Sequence, residues 1–315
     1  MAILGPDLPG TPAADCVIDA ERVRALLSAQ HPDLACLALE RAASGWDNEM
    51  YRLGPDLAVR LPRRAAAAPL ILNEQRWLAE VAAGLPLPAP VAVRIGRPQS
   101  GYPYAWSVIP WLPGVAADLA DVGADVGIVL ARFMRALHRP APTAAPRNPA
   151  RGCVLAERAA VVEARLDRLD AGALRLDDAG LCLGGAGSAR VGDLTREIWR
   201  GALAAPLEDT HLWIHGDLHP QNILVETARP AAVVDWGDLA AGDPATDLAS
   251  IWMMVGDRAR RAEAIEEYVV SPATLARAKG WAVNFASVFL EAGAAGNTRL
   301  ARIGERTLMA LLEGP

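Results

Sequence analysis

Two polar loops in the second half of the chain carry side chains whose types and spacing could support chemistry. Asp217 and Asn222 lie five positions apart in a loop that follows the apolar stretch 212–214. A second apolar stretch, 232–234, ends at Asp235. Carboxylate and amide oxygens are ligands that Mg²⁺ accepts, and a carboxylate can also orient a hydroxyl and take its proton. The layout is typical of a phosphoryl-transfer centre, in which one carboxylate lies near the attacking hydroxyl while an amide and a second carboxylate hold the metal.

The sequence around these loops resembles the signature of the aminoglycoside phosphotransferase family. The matching residues are His215, Gly216, Asp217 and Asn222 in the first loop, Val234, Asp235 and Trp236 in the second, and Gly242, Asp243, Pro244 and Asp247 at the following helix start. These enzymes share the protein-kinase-like fold with choline kinases and macrolide phosphotransferases. The resemblance implies an α+β, bilobal fold with a small N-terminal antiparallel sheet plus a helix and a larger, mainly helical C-terminal lobe.

The resemblance also implies a role for the residues of both loops. Asp217 would be the catalytic residue that orients the acceptor hydroxyl and takes its proton, and Asn222 and Asp235 would bind Mg²⁺. His215 and Asp247 would support the loop structurally. The enzyme would move the γ-phosphoryl group of ATP or GTP to a hydroxyl of a small molecule.

The identity of the acceptor is open at this point. We expect an aminoglycoside-like antibiotic, with a macrolide or other natural product, or a choline- or homoserine-type metabolite, as alternatives. A nucleotide-binding pseudoenzyme is the alternative from a different class, and the intact Asp217, Asn222 and Asp235 argue against it.

Acidic side chains could bind a cationic acceptor, although a solvated helix face is the simpler explanation for each of them. The candidates are Asp238, Glu266, Glu267 and Glu291.

The elements that must position these loops divide at the hinge-like sequence near residue 113. We predict a nucleotide-binding lobe over 1–113 and a helical lobe with the catalytic loop and the substrate site over 114–315. In the first lobe, apolar patterning and turn residues predict a helix at 19–29 and strands at 37–43, 49–53 and 57–61. In the second, helices are expected at about 126–137, 155–169, 193–204, 245–255, 258–269, 274–292 and 298–312. His138, which follows the first of these helices, is expected to cap its carbonyls.

Ser44 begins the turn that joins the first two predicted strands. In the family, the equivalent hairpin closes over the nucleotide phosphates, because backbone amides and a small hydroxyl can approach anionic oxygens closely. The turn contains one glycine, so a plain tight turn explains the residues equally well when the rest of the chain is ignored.

Arg60 lies on the third predicted strand, where kinases place a lysine, and Glu74 on the next helix is its natural partner. A guanidinium binds phosphate and carboxylate with two N–H groups, whereas a solvated surface pair would contribute little. An arginine at this position resembles the sequence pattern of macrolide phosphotransferases. Since Pro62 interrupts the strand pattern, we expect Arg63 and Arg64 to point towards solvent.

The apolar stretch 105–109 runs into a Pro/Gly break and resembles the hinge that binds the purine edge. The resemblance implies that the Pro110 carbonyl and the Leu112 amide bind adenine. Proline lacks an N–H but keeps its carbonyl acceptor, so Pro110 is compatible with this role.

Composition excludes several classes of protein. The 315 residues carry a formal net charge of −6 without a long basic tract, so we expect no nucleic-acid partner. No apolar run is long enough to span a membrane, and the stretch 1–11 lacks a basic start, so it is not expected to be a signal peptide. Four scattered cysteines suit a reduced, cytoplasmic protein. We expect a monomer or homodimer whose acidic balance would suit a cationic acceptor.

Overall fold

The computed structural model of the chain describes residues 13–99, 101–170, 186–208 and 211–314. The stretch 1–11, which is not expected to be a signal peptide, lies outside the described residues. Within the described ranges, no helix is long and apolar enough to cross a bilayer.

An antiparallel sheet dominates the first part of the chain. Its strands are β1 (Leu39–Ser44), β2 (Asn48–Leu53), β3 (Leu57–Pro62), β4 (Arg94–Gly96) and β5 (Trp106–Pro110). Their order in the sheet is β1-β2-β3-β5-β4, so β3 is the central strand. Both faces of a central strand are covered, and residues 58–62 of β3 are all buried. This position explains why Arg60, although charged, is only 5 % exposed.

Two helices accompany the sheet. α1 (Ala20–Gln30) begins at Asp19, whose carboxylate accepts a hydrogen bond from the Arg22 amide, and its apolar residues pack against β2, β3 and β5. α2 (Ala68–Ala82) follows a 3₁₀ turn. The buried positions of α2 recur at helical spacing and are Ile71, Glu74, Trp77, Leu78 and Val81. Glu74 belongs to this inward stripe, so its carboxylate faces the protein interior.

Two smaller sheets carry the polar loops. β7 (Leu212–Ile214) pairs with β10 (Ala240–Gly242), and β6 (Val115–Ala116), β8 (Ile223–Glu226) and β9 (Arg229–Val233) form a three-stranded sheet. The loop with Asp217 and Asn222 runs from β7 to β8 and ends in the 3₁₀ helix Pro220–Asn222. Asp235 follows β9 and precedes the 3₁₀ helix Trp236–Asp238.

The remaining described elements are helical. They are α3 (Val126–Leu137), α4 (Ala159–Asp170), α5 (Ala186–Ala204), α6 (Ala245–Leu248), α7 (Ser250–Met254), α8 (Arg258–Tyr268), α9 (Pro272–Ala294) and α10 (Thr298–Glu313). α9 is the longest of these helices and buries Trp281, Phe285 and Phe289 in the larger apolar core.

The predicted strands and helices of both parts are confirmed, with shifts of a few residues at their ends. The helix expected at 193–204 begins earlier, at Ala186, and the segment expected at 245–255 is divided at Ala249 into α6 and α7. The division of the chain at residue 113 stays a prediction.

Candidate active site

The loop between β7 and β8 is anchored by Asp247, a fully buried residue of α6. The amide of His215 donates to one carboxylate oxygen of Asp247 at 2.7 Å, and the amide of Gly216 donates to the other at 2.8 Å. Gly216 has a φ of 85°, and a Cβ there would lie 2.6 Å from the Asp238 carbonyl oxygen. Only glycine fits at position 216. Asp217 therefore directly follows a turn whose backbone is fixed by Asp247.

The ring of His215 links the two polar loops. Its Nε2 lies 3.1 Å from the carbonyl oxygen of Val234, and its Nδ1 accepts a hydrogen bond from the amide of Asp217 at 3.2 Å. Burial lowers the pKa of His215 against the opposing effect of Asp247, so the ring is neutral near pH 7 and Nε2 carries the proton. The imidazole therefore fixes the position of the loop that carries Asp217 relative to the strand that leads to Asp235.

His138 supports Asp247 from the opposite side. Its Nε2 lies 3.1 Å from Asp247 Oδ2, and its Nδ1 lies 2.7 Å from the hydroxyl of Tyr268. His138 caps α3 as expected, because its backbone amide donates to the Met134 carbonyl oxygen at 2.8 Å, while both ring nitrogens bind side chains of α6 and α8.

Both carboxylate oxygens of Asp217 have partners. Oδ1 accepts from Nη2 of Arg151 at 3.2 Å, while Oδ2 lies 3.3 Å from both Nε2 of His219 and Nδ2 of Asn222. Burial acts to raise the pKa of Asp217, but His219 and Arg151 outweigh it and hold the pKa below its ordinary value. The carboxylate is therefore ionised at neutral pH, as the acceptor of a hydroxyl proton has to be.

Asn222 and Asp235 lie at the adjoining ends of the two loops. The amide of Val234 donates to the Asn222 carbonyl oxygen at 2.9 Å, which places the next residue, Asp235, alongside. Nδ2 of Asn222 donates to the Asp217 carbonyl oxygen at 2.9 Å, so Oδ1 is the atom left for a cation. Asp235 has a left-handed backbone with a φ of 60°, and its side chain is 56 % exposed. An amide oxygen and an accessible carboxylate fit Mg²⁺, which binds few protein oxygens and keeps several waters.

Arg60 joins the sheet to this pair of loops. Its Nη1 donates to Glu74 Oε2 at 2.7 Å, and its Nη2 donates to Asp235 Oδ1 at 2.6 Å. Burial raises the pKa of Glu74 to about 7 even though Arg60 acts to lower it. The guanidinium therefore holds the buried carboxylate of Glu74 with one nitrogen and the accessible carboxylate of Asp235 with the other, through the fixed fork of its N–H groups.

Ser44 ends β1 at the turn predicted to face phosphate. It is buried, and among the described residues its hydroxyl has no hydrogen-bond partner. The turn is closed by a hydrogen bond from the Gly45 amide to the Asn48 carbonyl oxygen at 2.9 Å. The burial of Ser44 leaves Gly45 and Trp46 as the more accessible residues of this turn.

Arg63 and Arg64 do not point towards solvent, so that expectation is wrong. Arg63 is buried and donates to the Gly45 carbonyl oxygen at 2.9 Å. Arg64 donates to Asp47 at 2.6 Å. Strand β3 ends at Pro62, but the Arg63 amide donates to the Asp47 carbonyl oxygen at 2.8 Å, and the two guanidinium groups then hold the β1–β2 turn in place.

Pro110 and Leu112 lie where the end of β5 approaches the β8–β9 hairpin. Pro110 is the last residue of β5 and pairs with Leu57. The side chain of Leu112 packs against Leu224, Ala232 and Val234. Leu224, Ala232 and Val234 are buried, so Leu112 is packed against the strand that leads to Asp235. The hinge role of Pro110 and Leu112 stays a prediction.

Asp238 lies in the site rather than on a solvated helix face. It is half-buried and accepts a hydrogen bond from Asn148 Nδ2 at 2.5 Å. Burial and the nearby Asp217 raise the pKa of Asp238 to about 7. The other acidic candidates lie elsewhere, since Glu267 pairs with Arg132 and Arg135, Glu291 pairs with Arg165 and Arg168, and Glu266 is exposed on α8.

Sequence reasoning missed Arg151 and Asn148. Asn148 lies in the Pro/Ala-rich connection after α3 and Arg151 directly follows it. Neither matches a motif, and a single arginine in such a segment gives no functional signal. Only the fold brings Arg151 within 3.2 Å of Asp217.

Comparison with known proteins gives a consistent result for the chain. Residues 38–281 match the model of a family described as the phosphotransferase enzyme family. A curated protein, the viomycin phosphotransferase of Streptomyces vinaceus, is 46 % identical over 48 residues. That match spans 14 % of this chain and 17 % of the viomycin protein, so it relates only a short segment of the two.

Solved structures match over nearly the whole length. The GDP and kanamycin complex of APH(2")-IIia has a TM-score of 0.67 at 17 % identity and covers 93 % of this chain and 99 % of that one. The apoenzyme of macrolide 2'-phosphotransferase MphH from Brachybacterium faecium has a TM-score of 0.54 at 22 % identity and covers 92 % and 97 %. At these identities the likeness concerns the fold, and it confirms the predicted bilobal, protein-kinase-like α+β architecture.

Proposed function

Because the family model matches well over half of this chain, the chain belongs to the phosphotransferase enzyme family, and we propose that this protein transfers the γ-phosphoryl group of ATP or GTP to a hydroxyl of a small molecule. The observation that carries this proposal is the convergence of two loops. Asn222 binds Asp217 directly and, through the Val234 amide, holds the strand end that presents Asp235.

Asp217 would orient the acceptor hydroxyl and accept its proton. The carboxylate is ionised, partly exposed and held from three sides, so its oxygen is presented in a fixed direction. Phosphoryl transfer requires mainly in-line positioning and charge stabilisation, and a fixed carboxylate meets the first requirement.

Asn222 and Asp235 would hold Mg²⁺, which when bound would neutralise charge on the nucleotide phosphates. Arg60 would turn from Asp235 towards the phosphates while it keeps Glu74 as its second partner. The β1–β2 turn with Ser44 would cover the phosphates, and the Pro110 carbonyl and the Leu112 amide would bind the base. In this scheme residues 1–113 bind the nucleotide and residues 114–315 bind the acceptor.

For the acceptor, we propose an antibiotic, with aminoglycoside-like molecules first. The similar proteins are named for viomycin, aminoglycosides and a macrolide, and the APH(2")-IIia structure contains kanamycin. These names have antibiotics in common, and we infer an antibiotic acceptor for this chain as well. ATP and GTP are abundant in the cytoplasm, where we propose that the protein acts.

The test is direct transfer of labelled phosphate. The protein is incubated with Mg²⁺ and γ-labelled ATP or GTP together with kanamycin, streptomycin, viomycin or erythromycin, and products are identified by mass spectrometry. We expect one acceptor to gain a single phosphate. Asp217→Asn should reduce turnover by on the order of a hundredfold or more while nucleotide affinity is kept, because the base is lost and the metal ligands remain.

Two outcomes would contradict the proposal. Nucleotide binding with no transfer to any acceptor would favour the pseudoenzyme alternative. Transfer at a near-normal rate by Asp217→Asn would mean that another residue takes the hydroxyl proton.

A further inference from the structure

Arg151 lies beside the carboxylate that we assign to the acceptor hydroxyl. Its Nη2 is 3.2 Å from Asp217 Oδ1, and the side chain is only 18 % exposed. Among the described residues, Asp217 is the one hydrogen-bond acceptor to which the Arg151 guanidinium donates. A guanidinium has five N–H donors, so others remain for a bound molecule.

The position of Arg151 is fixed by its surroundings. The guanidinium carbon lies 4.7 Å from the ring centre of Phe285, a cation–π contact. The Asn148 side-chain oxygen accepts from the amides of Ala150 and Arg151 at 2.9 and 3.1 Å. The next residue, Gly152, has a φ of 65°, and its carbonyl oxygen accepts from the Asp243 amide at 2.9 Å. Arg151 is therefore held in place by a closed turn and an aromatic ring.

The arrangement of the two Asp217 oxygens shows where a hydroxyl can bind. Oδ2 is engaged by His219 and Asn222, which belong to the same loop. Oδ1 is engaged by Arg151. A hydroxyl that donates to Asp217 from outside the loop therefore approaches Oδ1. There it also lies next to the guanidinium of Arg151.

We propose that Arg151 determines acceptor specificity by donating a hydrogen bond to an oxygen next to the reacting hydroxyl, so that hydroxyls flanked by hydroxyl, ether, carbonyl or carboxylate oxygens are favoured over those flanked by an ammonium group. This inference rests on the proposed phosphotransferase function and deepens it. An acceptor can still be cationic elsewhere, provided that its ammonium groups lie away from the reacting carbon.

The charges around Asp217 support the same conclusion. Arginine remains protonated at every physiological pH. Asp238, the other acidic group on this side, is held by Asn148, and burial raises its pKa to about 7, so it is only partly ionised near neutral pH. An ammonium group next to the reacting hydroxyl would therefore lie close to the fixed positive charge of Arg151, while the carboxylate of Asp217 is already bound by Arg151, His219 and Asn222.

The experiment compares acceptors whose flanking groups differ. Kanamycin A carries a hydroxyl on carbon 2′ where kanamycin B carries an amine, and streptomycin, viomycin and erythromycin extend the set. For each acceptor that the wild type phosphorylates, the modified hydroxyl is located by NMR, and kcat/KM is measured for wild type, Arg151→Lys, Arg151→Gln and Arg151→Glu. In the kanamycins we expect phosphate on a hydroxyl with oxygen-bearing neighbours rather than next to the 3″ amine.

The variants separate acceptor recognition from a structural role. We expect Arg151→Gln to raise the acceptor KM with little change in the nucleotide KM, and Arg151→Lys to restore part of the loss. Arg151→Glu should shift the ratio of kcat/KM towards the acceptor with the aminated neighbour by on the order of tenfold or more, the usual effect of a charged hydrogen bond. Arg165→Gln is the matched control, because Arg165 is 14 % exposed but pairs with Glu291 outside the site.

Thermal unfolding of each variant shows whether it folds, and Arg151→Lys keeps the test valid if Arg151→Gln does not. Phosphate next to an amine in the wild-type product, or an acceptor ratio that Arg151→Glu leaves unchanged, would overturn this inference alone. A wild type that phosphorylates none of the acceptors would contradict the proposed function and this inference together.

Discussion

Removal of the Arg60 side chain should destabilise the protein in a manner that depends on pH. Arg60 and Glu74 are almost completely buried, and the bond between them is 2.7 Å long. Breaking a buried ion pair by removing one partner typically costs about 3–5 kcal/mol. In Arg60→Ala, however, Glu74 can avoid the cost by binding a proton, because burial already raises its pKa to about 7 while Arg60 is present to lower it.

The sign follows from proton linkage. Without Arg60 the pKa of Glu74 in the folded state rises further, whereas in the unfolded state it is ordinary. The folded state then binds one more proton, so its stability falls as pH rises, by about 1.4 kcal/mol per pH unit. Between pH 7 and 8.5 we expect Arg60→Ala to lose about 2 kcal/mol more than the wild type, in which Glu74 is ionised over most of that range.

The assay is urea denaturation followed by tryptophan fluorescence at pH 6, 7 and 8.5. The double variant Arg60→Ala/Glu74→Gln is the control, because glutamine has the shape of the glutamate without its charge. It should abolish the additional pH dependence and be more stable than Arg60→Ala at pH 8.5. If the single and double variants lose equal stability over this range, Glu74 is not the group responsible and the reasoning fails.

Three further predictions follow from the same site. Asp235→Ala should weaken nucleotide binding in the presence of Mg²⁺ by about tenfold or more, because it removes a metal ligand, and calorimetry that finds unchanged affinity would reject this assignment. Arg64→Ala should raise the nucleotide KM severalfold with kcat nearly unchanged, because it releases the β1–β2 turn that Arg64 holds through Asp47. An unchanged KM would mean that this ion pair does not contribute to nucleotide binding. Asp238→Asn should raise the thermal unfolding midpoint more at pH 8 than at pH 6. Burial disfavours the ionised form of Asp238, so the wild type becomes less stable as pH rises through about 7, and the asparagine variant avoids this loss. An equal gain at both pH values would show that the ionisation of Asp238 is not disfavoured.

The sequence predicts the elements well where periodicity and turn residues agree. The apolar stripes of α3 and α9 and the strand patterns of β2 and β3 are strong local signals, and the structure confirms them. Local patterns do not show where a helix loses its regular hydrogen bonds, and the helix expected at 245–255 is divided at Ala249 although that residue keeps helical backbone angles.

The candidate site is only partly readable from sequence. Asp217, Asn222 and Asp235 stand in motifs with fixed spacing, so they could be selected before any fold was known. The expected direction of Arg63 and Arg64 was wrong because the path of the chain after Pro62 depends on contacts with the β1–β2 turn.

Long-range contacts account for the remaining residues of the site. Arg151 is separated from Asp217 by 66 positions, and His138 from Asp247 by 109. No local pattern records such contacts, so only the fold identifies these partners.

The arginine on β3 has a consequence for chemical labelling. Reagents that detect nucleotide-binding enzymes by acylating an amine at the phosphate site require a lysine there. Arg60, which we propose for that site, carries a guanidinium, which stays protonated and is a poor nucleophile. The chain contains a single lysine, Lys279, on α9. Surveys of a proteome with such probes would therefore overlook this protein, and inhibitors that depend on a covalent bond to that lysine would have no group to modify. Conversely, Lys279 carries the one side-chain amine of the sequence, so a dye or a tether can be attached at one defined side chain.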